Sequence, residues 1–193
     1  MTAHAWIAVT LKVIEVLDAL GVKYVICGSA ASIVHGVVRS TIDTDLIADL
    51  HSAHVQPLVT ALEEEFYIDA QSISGAIATR GSFNLIHQNS MFKVDVFIPK
   101  PRPFDQAQLA HRIETVICHN PDRTAWIVSA EDIVLAKLEW FRLGDEVSER
   151  QWRDVLGVLK IQTGKLDIGY MQATARQLGV SDLLELALKE AAK

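Results

Sequence analysis

The chain has 193 residues and a mass of 21.3 kDa, enough for one medium domain or a domain with a helical appendage. Half of the residues are hydrophobic and 22% are charged, with no low-complexity stretch, which excludes a mainly disordered chain. The formal net charge of −6 is spread along both halves and no basic stripe stands out, so long duplex nucleic acid is not the expected partner. Two cysteines, Cys27 and Cys118, lie in apolar runs and read as buried reduced thiols rather than a disulfide framework. The N-terminus lacks the basic start and small-residue cleavage site of a signal peptide. No apolar stretch long enough to span a membrane is free of charge, and a soluble cytoplasmic protein is expected.

Residues 4–20 carry apolar side chains at mostly helical spacing and end at Gly21, a C-cap signal. A β-branched run at 23–27 predicts a buried strand, followed by the Gly28-Ser29 turn and a short helix over 30–35 that Gly36 stops. Residues 44–50 read as a second strand. Ser52 is the expected N-cap of a helix through Phe66, with Pro57 in its early turns or marking a later start. Glu63-Glu64-Glu65 reads as that helix's solvated end. Residues 83–87 and 92–99 form a predicted hairpin, with Pro99, Pro101 and Pro103 stopping its second strand. A further strand pair is expected at 113–118 and 124–128, around Asn120-Pro121-Asp122. From Ser129 onward only helical patterns remain, over 130–142, 149–162, 167–178 and 182–191, and Ser129 with Asp132 has the form of a capping box. The layout predicts an α/β domain over 1–128 and a helical module over 129–193, with no flexible linker between them, so the two are expected to pack as one body.

The chemistry concentrates in three places. Asp43 and Asp45 are two residues apart on an extended backbone, so both carboxylates point to one side. Like charges that close repel, and a hard divalent cation relieves the cost. Asp95 lies mid-strand in Lys93-Val94-Asp95-Val96-Phe97, where Val94, Val96 and Ile98 fill one face and Asp95 shares the other with Lys93 and Phe97. An acid is rarely put there without a partner. If that strand neighbours the Asp43–Asp45 strand, three carboxylates converge and can hold metal ions for phosphoryl transfer. Gly28-Ser29 adds a place where a ligand can approach the backbone and where N–H groups at a helix start attract phosphate oxygens.

In that order, Gly28-Ser29, then Arg39-Ser40-Thr41-Ile42-Asp43-Thr44-Asp45-Leu46, then Val94-Asp95-Val96 resemble the signature of the nucleotidyltransferase-fold superfamily, which includes polymerase-beta-like enzymes. With His35-Gly36 ahead of Arg39-x-Thr41, the form is similar to a bacterial subgroup near the abortive-infection (AbiEii-type) nucleotidyltransferase toxins. The resemblance covers residues 20–100 by motif and extends more weakly to about residue 160. It implies a mixed β-sheet with flanking helices that carries the three acids, followed by the helical module. It also implies Mg²⁺, or Mn²⁺, on Asp43, Asp45 and Asp95, with Asp95 as base or orienting group for an attacking hydroxyl. Gly28 and Ser29 would hold the β- and γ-phosphates of a nucleoside triphosphate, and Lys137 and Asp154 occupy the places of two further active-site residues of the toxin relatives. The implied reaction moves NMP from the NTP to a hydroxyl on a protein, a small molecule or an RNA end. A toxin silenced by an antitoxin-like partner and a non-catalytic nucleotide-binding module are the alternatives. One departure is Thr44, where the family usually has a hydrophobic residue. Another is the 49-residue stretch between Asp45 and Asp95.

The remaining candidates divide between chemistry and packing. Lys137 lies in an otherwise apolar helix and must snorkel, pair or reach a ligand. Arg39 can meet a nucleotide phosphate or pin its loop by pairing with an aspartate, and Asp154 can pair with Lys137 or Arg150. His35 reads as a packing or capping histidine, and Trp140, Phe141 and Trp152 as a shared core of successive helices. Asn84, at the start of a strand, can hydrogen-bond a base or ribose. The histidines show no zinc-ligand spacing, and no Gly-x-Ser-x-Gly elbow supports Ser-His-Asp hydrolysis.

Overall fold

The computed structural model describes residues 5–38, 40–119 and 121–193. The chain forms two units, Met1–Ala30 with Ser40–Ile127, and Ala31–Arg39 with Val128–Lys193.

The first unit is built on a seven-stranded mixed sheet. Its strands are β1 (Tyr24–Cys27), β2 (Asp43–Ala48), β3 (Phe66–Tyr67), β4 (Ser82–His87), β5 (Lys93–Phe97), β6 (Ile113–Cys118) and β7 (Arg123–Ile127), in the order β3-β4-β5-β2-β1-β7-β6. The β1–β7 and β2–β5 pairs are parallel and the other four are antiparallel. With them come α1 (Ala5–Ala19), the start of α2 (Gly28–Val34), α3 (Val55–Leu62), α4 (Ala70–Thr79) and α5 (Pro103–Ala110). Every residue of β1 is buried, as expected for a central strand with no alternation in its sequence. Strands β2 and β5 alternate instead: Thr44, Leu46, Val94 and Val96 are buried, while Asp43, Asp45, Lys93, Asp95 and Phe97 on the other face keep partial exposure.

The mixed sheet with flanking helices is the fold class read from the sequence. The differences are local and have physical causes. The helix expected over 52–66 is a 3₁₀ turn at Ser52–His54 followed by α3, which ends at Leu62. Pro57 sits in the first turn of α3, where its missing N–H costs nothing. Glu63–Glu65 form an exposed turn after the helix, and Glu65 pairs with Lys12 of α1. Helix α4 was not signalled, because Gly75 and two serines dilute its pattern; its start is fixed by Asp69, whose carboxylate accepts the Ser72 N–H at 2.7 Å. The prolines that stop β5 also start a helix, with Pro103 in the first turn of α5. Cys27 is buried, but Cys118 is only half-buried, because β6 is the sheet's edge.

The second unit is helical: α6 (Ala130–Leu143), α7 (Glu149–Ile161), α8 (Ile168–Leu178), α9 (Ser181–Ala191) and the end of α2. Ile133, Val134, Leu135 and Leu138 of α6, Val155, Val158 and Leu159 of α7, and Leu183, Leu184 and Ala187 of α9 form much of its core. Capping residues fix three helix starts: Ser129 accepts the Asp132 N–H at 3.1 Å, Ser148 that of Gln151 at 3.4 Å and Asp167 that of Tyr170 at 2.9 Å. The Asp132 carboxylate meets the Tyr170 hydroxyl at 2.5 Å.

His35 is a packing residue, buried, its Nε2–H donating to the Val128 carbonyl at 2.7 Å. Burial holds its pKa below the ordinary value. Gly36, at φ +111°, lies against α7, where an added Cβ would come within 2.7 Å of Ile161. Phe141 and Trp152 stack at 5.3 Å, but Trp140 is not part of that core and is 57% exposed. Its position turns it to the outer side of α6.

Candidate functional site

The register of the sheet assembles the acids. Strands β2 and β5 are parallel neighbours, and Asp45 stands directly opposite Asp95 while Asp43 stands opposite Lys93. On the far side of β5, Asn84 of β4 is opposite Asp95, and on the far side of β2, Cys27 of β1 is opposite Asp45. A row therefore crosses four strands as Asn84–Asp95–Asp45–Cys27. The two acids in its middle have 49 residues between them in sequence. That long stretch holds α3, β3, α4 and β4, and β4 is the strand that β5 needs on its outer side.

Each neighbour of the acid row has a physical reason to be the residue it is. Gly28 follows β1 with φ +58°, and a Cβ built there would fall 1.9 Å from Asp45 Oδ2. Both the backbone conformation and the space require glycine. Ser29 follows in the first turn of α2 and is buried. The Thr41 hydroxyl lies 3.1 Å from Asp43 Oδ1 and 2.9 Å from the Asp43 carbonyl, so it donates to the acid's own strand end and holds its carboxylate. Thr44, between the two acids, faces the opposite side, where its hydroxyl pairs with that of Thr10 in α1 at 2.8 Å. The hydroxyl that departs from the family pattern is thus satisfied inside the core, which is what a buried polar group needs.

Lys93 is the residue that sequence reasoning left out of the site. Its Nζ lies 2.6 Å from Asp95 Oδ2, with the lysine side chain 43% and the aspartate side chain 19% exposed. The hydrogen bond to Asp95 pushes the Lys93 pKa up despite partial burial, and the charges of Asp95, Asp43 and Asp45 add to the rise. The signal was available: Lys93 and Asp95 are two apart on a strand, which puts them on one face. Among the described residues, no three His, Cys, Asp or Glu side chains stand gathered as a ready metal cage. The donor set nonetheless has the right chemistry for a hard divalent cation, three carboxylates on one face with the Cβ-free Gly28 leaving room at Asp45.

Lys137 and Asp154 belong to the second unit, and there they meet each other. Nζ to Oδ2 is 2.8 Å, and the side chains are 9% and 3% exposed. The pairing of Asp154 with Lys137 that the sequence allows is formed. Arg39 lies outside the described residues. Asn84 is exposed on the same face as Asp95, next to it across the β4–β5 pair.

No family model matches the chain, and no curated protein sequence matches it. Solved structures do. The lincosamide antibiotic adenylyltransferase LnuA, bound to lincomycin, aligns with a TM-score of 0.50 at 17% identity over 79% of this chain and 95% of its own. The antibiotic-resistance factor ANT(2'')-Ia aligns with a TM-score of 0.59 at 13% identity over 91% of this chain and 94% of its own. An antigenic nucleotidyltransferase-like protein from Paracoccidioides brasiliensis gives 0.54 at 18% identity, covering 93% of this chain and 91% of its own. At these identities the likeness is one of fold. Among the described residues, no helix is long and apolar enough to cross a membrane. The chain's mixed sheet with flanking helices has a nucleotidyltransferase-like fold.

Proposed function

We propose that the protein is a Mg²⁺-dependent nucleotidyltransferase that moves NMP from a nucleoside triphosphate to a hydroxyl of a small molecule, acting in the cytoplasm. The observation that carries this reading is the register that sets Asp45 beside Asp95, with Asp43 two residues along the same face. An acid row of this kind has no use in packing, and it matches the donor set that Mg²⁺ takes. Asp43, Asp45 and Asp95 would hold the ion, which when bound supplies the positive charge that a triphosphate and its leaving pyrophosphate need. The chain's own residues do the rest. Asp95 orients the acceptor hydroxyl and takes its proton as the oxygen attacks the α-phosphorus; the bond to the β-phosphate oxygen breaks and pyrophosphate leaves. Gly28 and Ser29, at the start of α2, would hold the phosphates. Thr41 keeps the Asp43 carboxylate in place.

The acidic net charge and the likeness in fold to an antibiotic adenylyltransferase and an antibiotic-resistance factor favour a small-molecule acceptor over an RNA end. The toxin alternative rests on motif resemblance alone, through His35-Gly36 ahead of Arg39-x-Thr41 and through Lys137 and Asp154, and the last two are engaged with one another. Lys137, Asp154 and Arg39 would contribute to nucleotide binding.

Calorimetric titration of ATP, GTP, CTP and UTP, with and without Mg²⁺, tests the reading. Wild type is expected to bind at least one nucleotide with micromolar affinity, about −8 kcal/mol, only when Mg²⁺ is present. Asp43→Asn is expected to lose that signal while its melting temperature holds. Equal Mg²⁺-dependent binding by the variant would remove the acid row from the site.

A further inference from the structure

The face that carries the three acids also carries a cation, and it is part of the chain. Lys93 Nζ sits 2.6 Å from Asp95 Oδ2. In the register of β2 and β5, Lys93 is the residue directly opposite Asp43 and two positions before Asp95, so it shares their face. Two features separate this pair from an ordinary surface ion pair. First, it lies on the one face that also carries Asp43 and Asp45, so the ammonium offsets part of the repulsion of three carboxylates and not only one. Second, the lysine keeps 43% side-chain exposure, so its flexible stem has solvent to swing into.

We propose that Lys93 is an exchangeable internal counter-ion, which holds Asp95 while the row is empty of metal and must release it before a divalent cation binds. This inference rests on the metal reading of the acid row given above. The Asp95 carboxylate that meets the ammonium is one that would also serve a divalent cation, and two cations on one carboxylate repel. A divalent ion therefore competes with Lys93 for Asp95. Lys93 accordingly weakens metal affinity while stabilising the metal-free fold. It is a positioning residue, acting through Asp95.

The test is direct binding of Mn²⁺ to the full chain without nucleotide, by calorimetry and by the loss of free Mn²⁺ electron paramagnetic resonance signal. Melting temperatures in chelator and in excess Mn²⁺ accompany it. Lys93→Met is expected to bind Mn²⁺ about three- to tenfold more tightly than wild type, to melt lower in chelator, and to regain that loss when Mn²⁺ is added. Lys93→Arg, which keeps the charge, is expected to stay near wild type. Wild type that binds while Lys93→Met binds equally or more weakly overturns the counter-ion role and leaves the metal site standing. Mn²⁺ binding that appears only in Lys93→Met supports the role in its strongest form. Absence of binding in wild type and both variants overturns the metal reading itself, and the inference with it.

Discussion

Two ion pairs of almost the same length sit in the two units, and they differ in nearly everything else. Lys93–Asp95 spans 2.6 Å on the face of a sheet with the lysine half in solvent; Lys137–Asp154 spans 2.8 Å between α6 and α7 with both side chains over nine-tenths buried. Distance alone would rank them together. Burial separates them, because a charge that has left water is stable only while its partner is present, whereas a charge at the surface can return to water at little cost. The first pair is suited to exchange and the second to holding two helices in register.

The largest effect follows from the buried pair. Lys137→Met leaves the Asp154 carboxylate without its ammonium in the core, and urea unfolding is expected to show a loss of about 3–5 kcal/mol. Replacing both, Lys137→Met with Asp154→Leu, should recover most of it. A single-variant loss below about 1 kcal/mol would put this pair in the class of the exposed one and end the contrast.

Gly28→Ala sharpens the other side. The new Cβ would fall on Asp45 Oδ2, at a φ that disfavours any side chain. Unfolding is expected to show a loss of about 1–3 kcal/mol, and Mn²⁺ titration a matching loss of affinity as Asp45 is pushed aside. An alanine variant that binds Mn²⁺ as wild type does would show that Asp45 is not a ligand.

The smallest effect is one of pH and belongs to the second unit. His35 is buried as the neutral donor to Val128, and burial lowers its pKa from the ordinary 6.5. The unfolded state therefore binds the proton more readily than the folded one, so stability is full above pH 6.5 and falls as pH drops below it. His35→Gln, which keeps an N–H donor, is expected to flatten that fall in melting curves recorded between pH 7.5 and about 5.5. An unchanged slope would mean that other groups dominate the acid limb.

How much of this was legible in the sequence depends on the range of the forces involved. The β-branched run of β1, the alternation around Asp95 and the terminal helices with their serine caps are local signals, and each of these elements exists with ends shifted by only a few residues. Helix α5 was hidden because one proline run both ends β5 and begins the next helix, and sequence alone gave weight to the stop. The four-residue shortening of the helix before β3 has a similar source, since Phe66 fits either a helix end or a buried strand start. The convergence of the acids was conditional on β2 lying next to β5, a long-range pairing that no local pattern fixes. The role of Thr44 was out of reach because its partner, Thr10, is 34 residues away. Lys93 was within reach, two residues from Asp95 on the same strand, but its importance appears only when three carboxylates are seen to share its face.

Transfer itself is the measurement closest to the central claim. Wild type and Asp95→Asn would each be incubated with the four NTPs, Mg²⁺ and a panel of hydroxyl-bearing small molecules that includes lincosamides. Pyrophosphate release and the mass of the acceptor would be followed together. Acceptor-dependent pyrophosphate release by wild type, a product heavier by one NMP, and neither in Asp95→Asn is the expected result. Equal release by both proteins would contradict the assignment of Asp95, and with it the reading of the acid row as a transfer site.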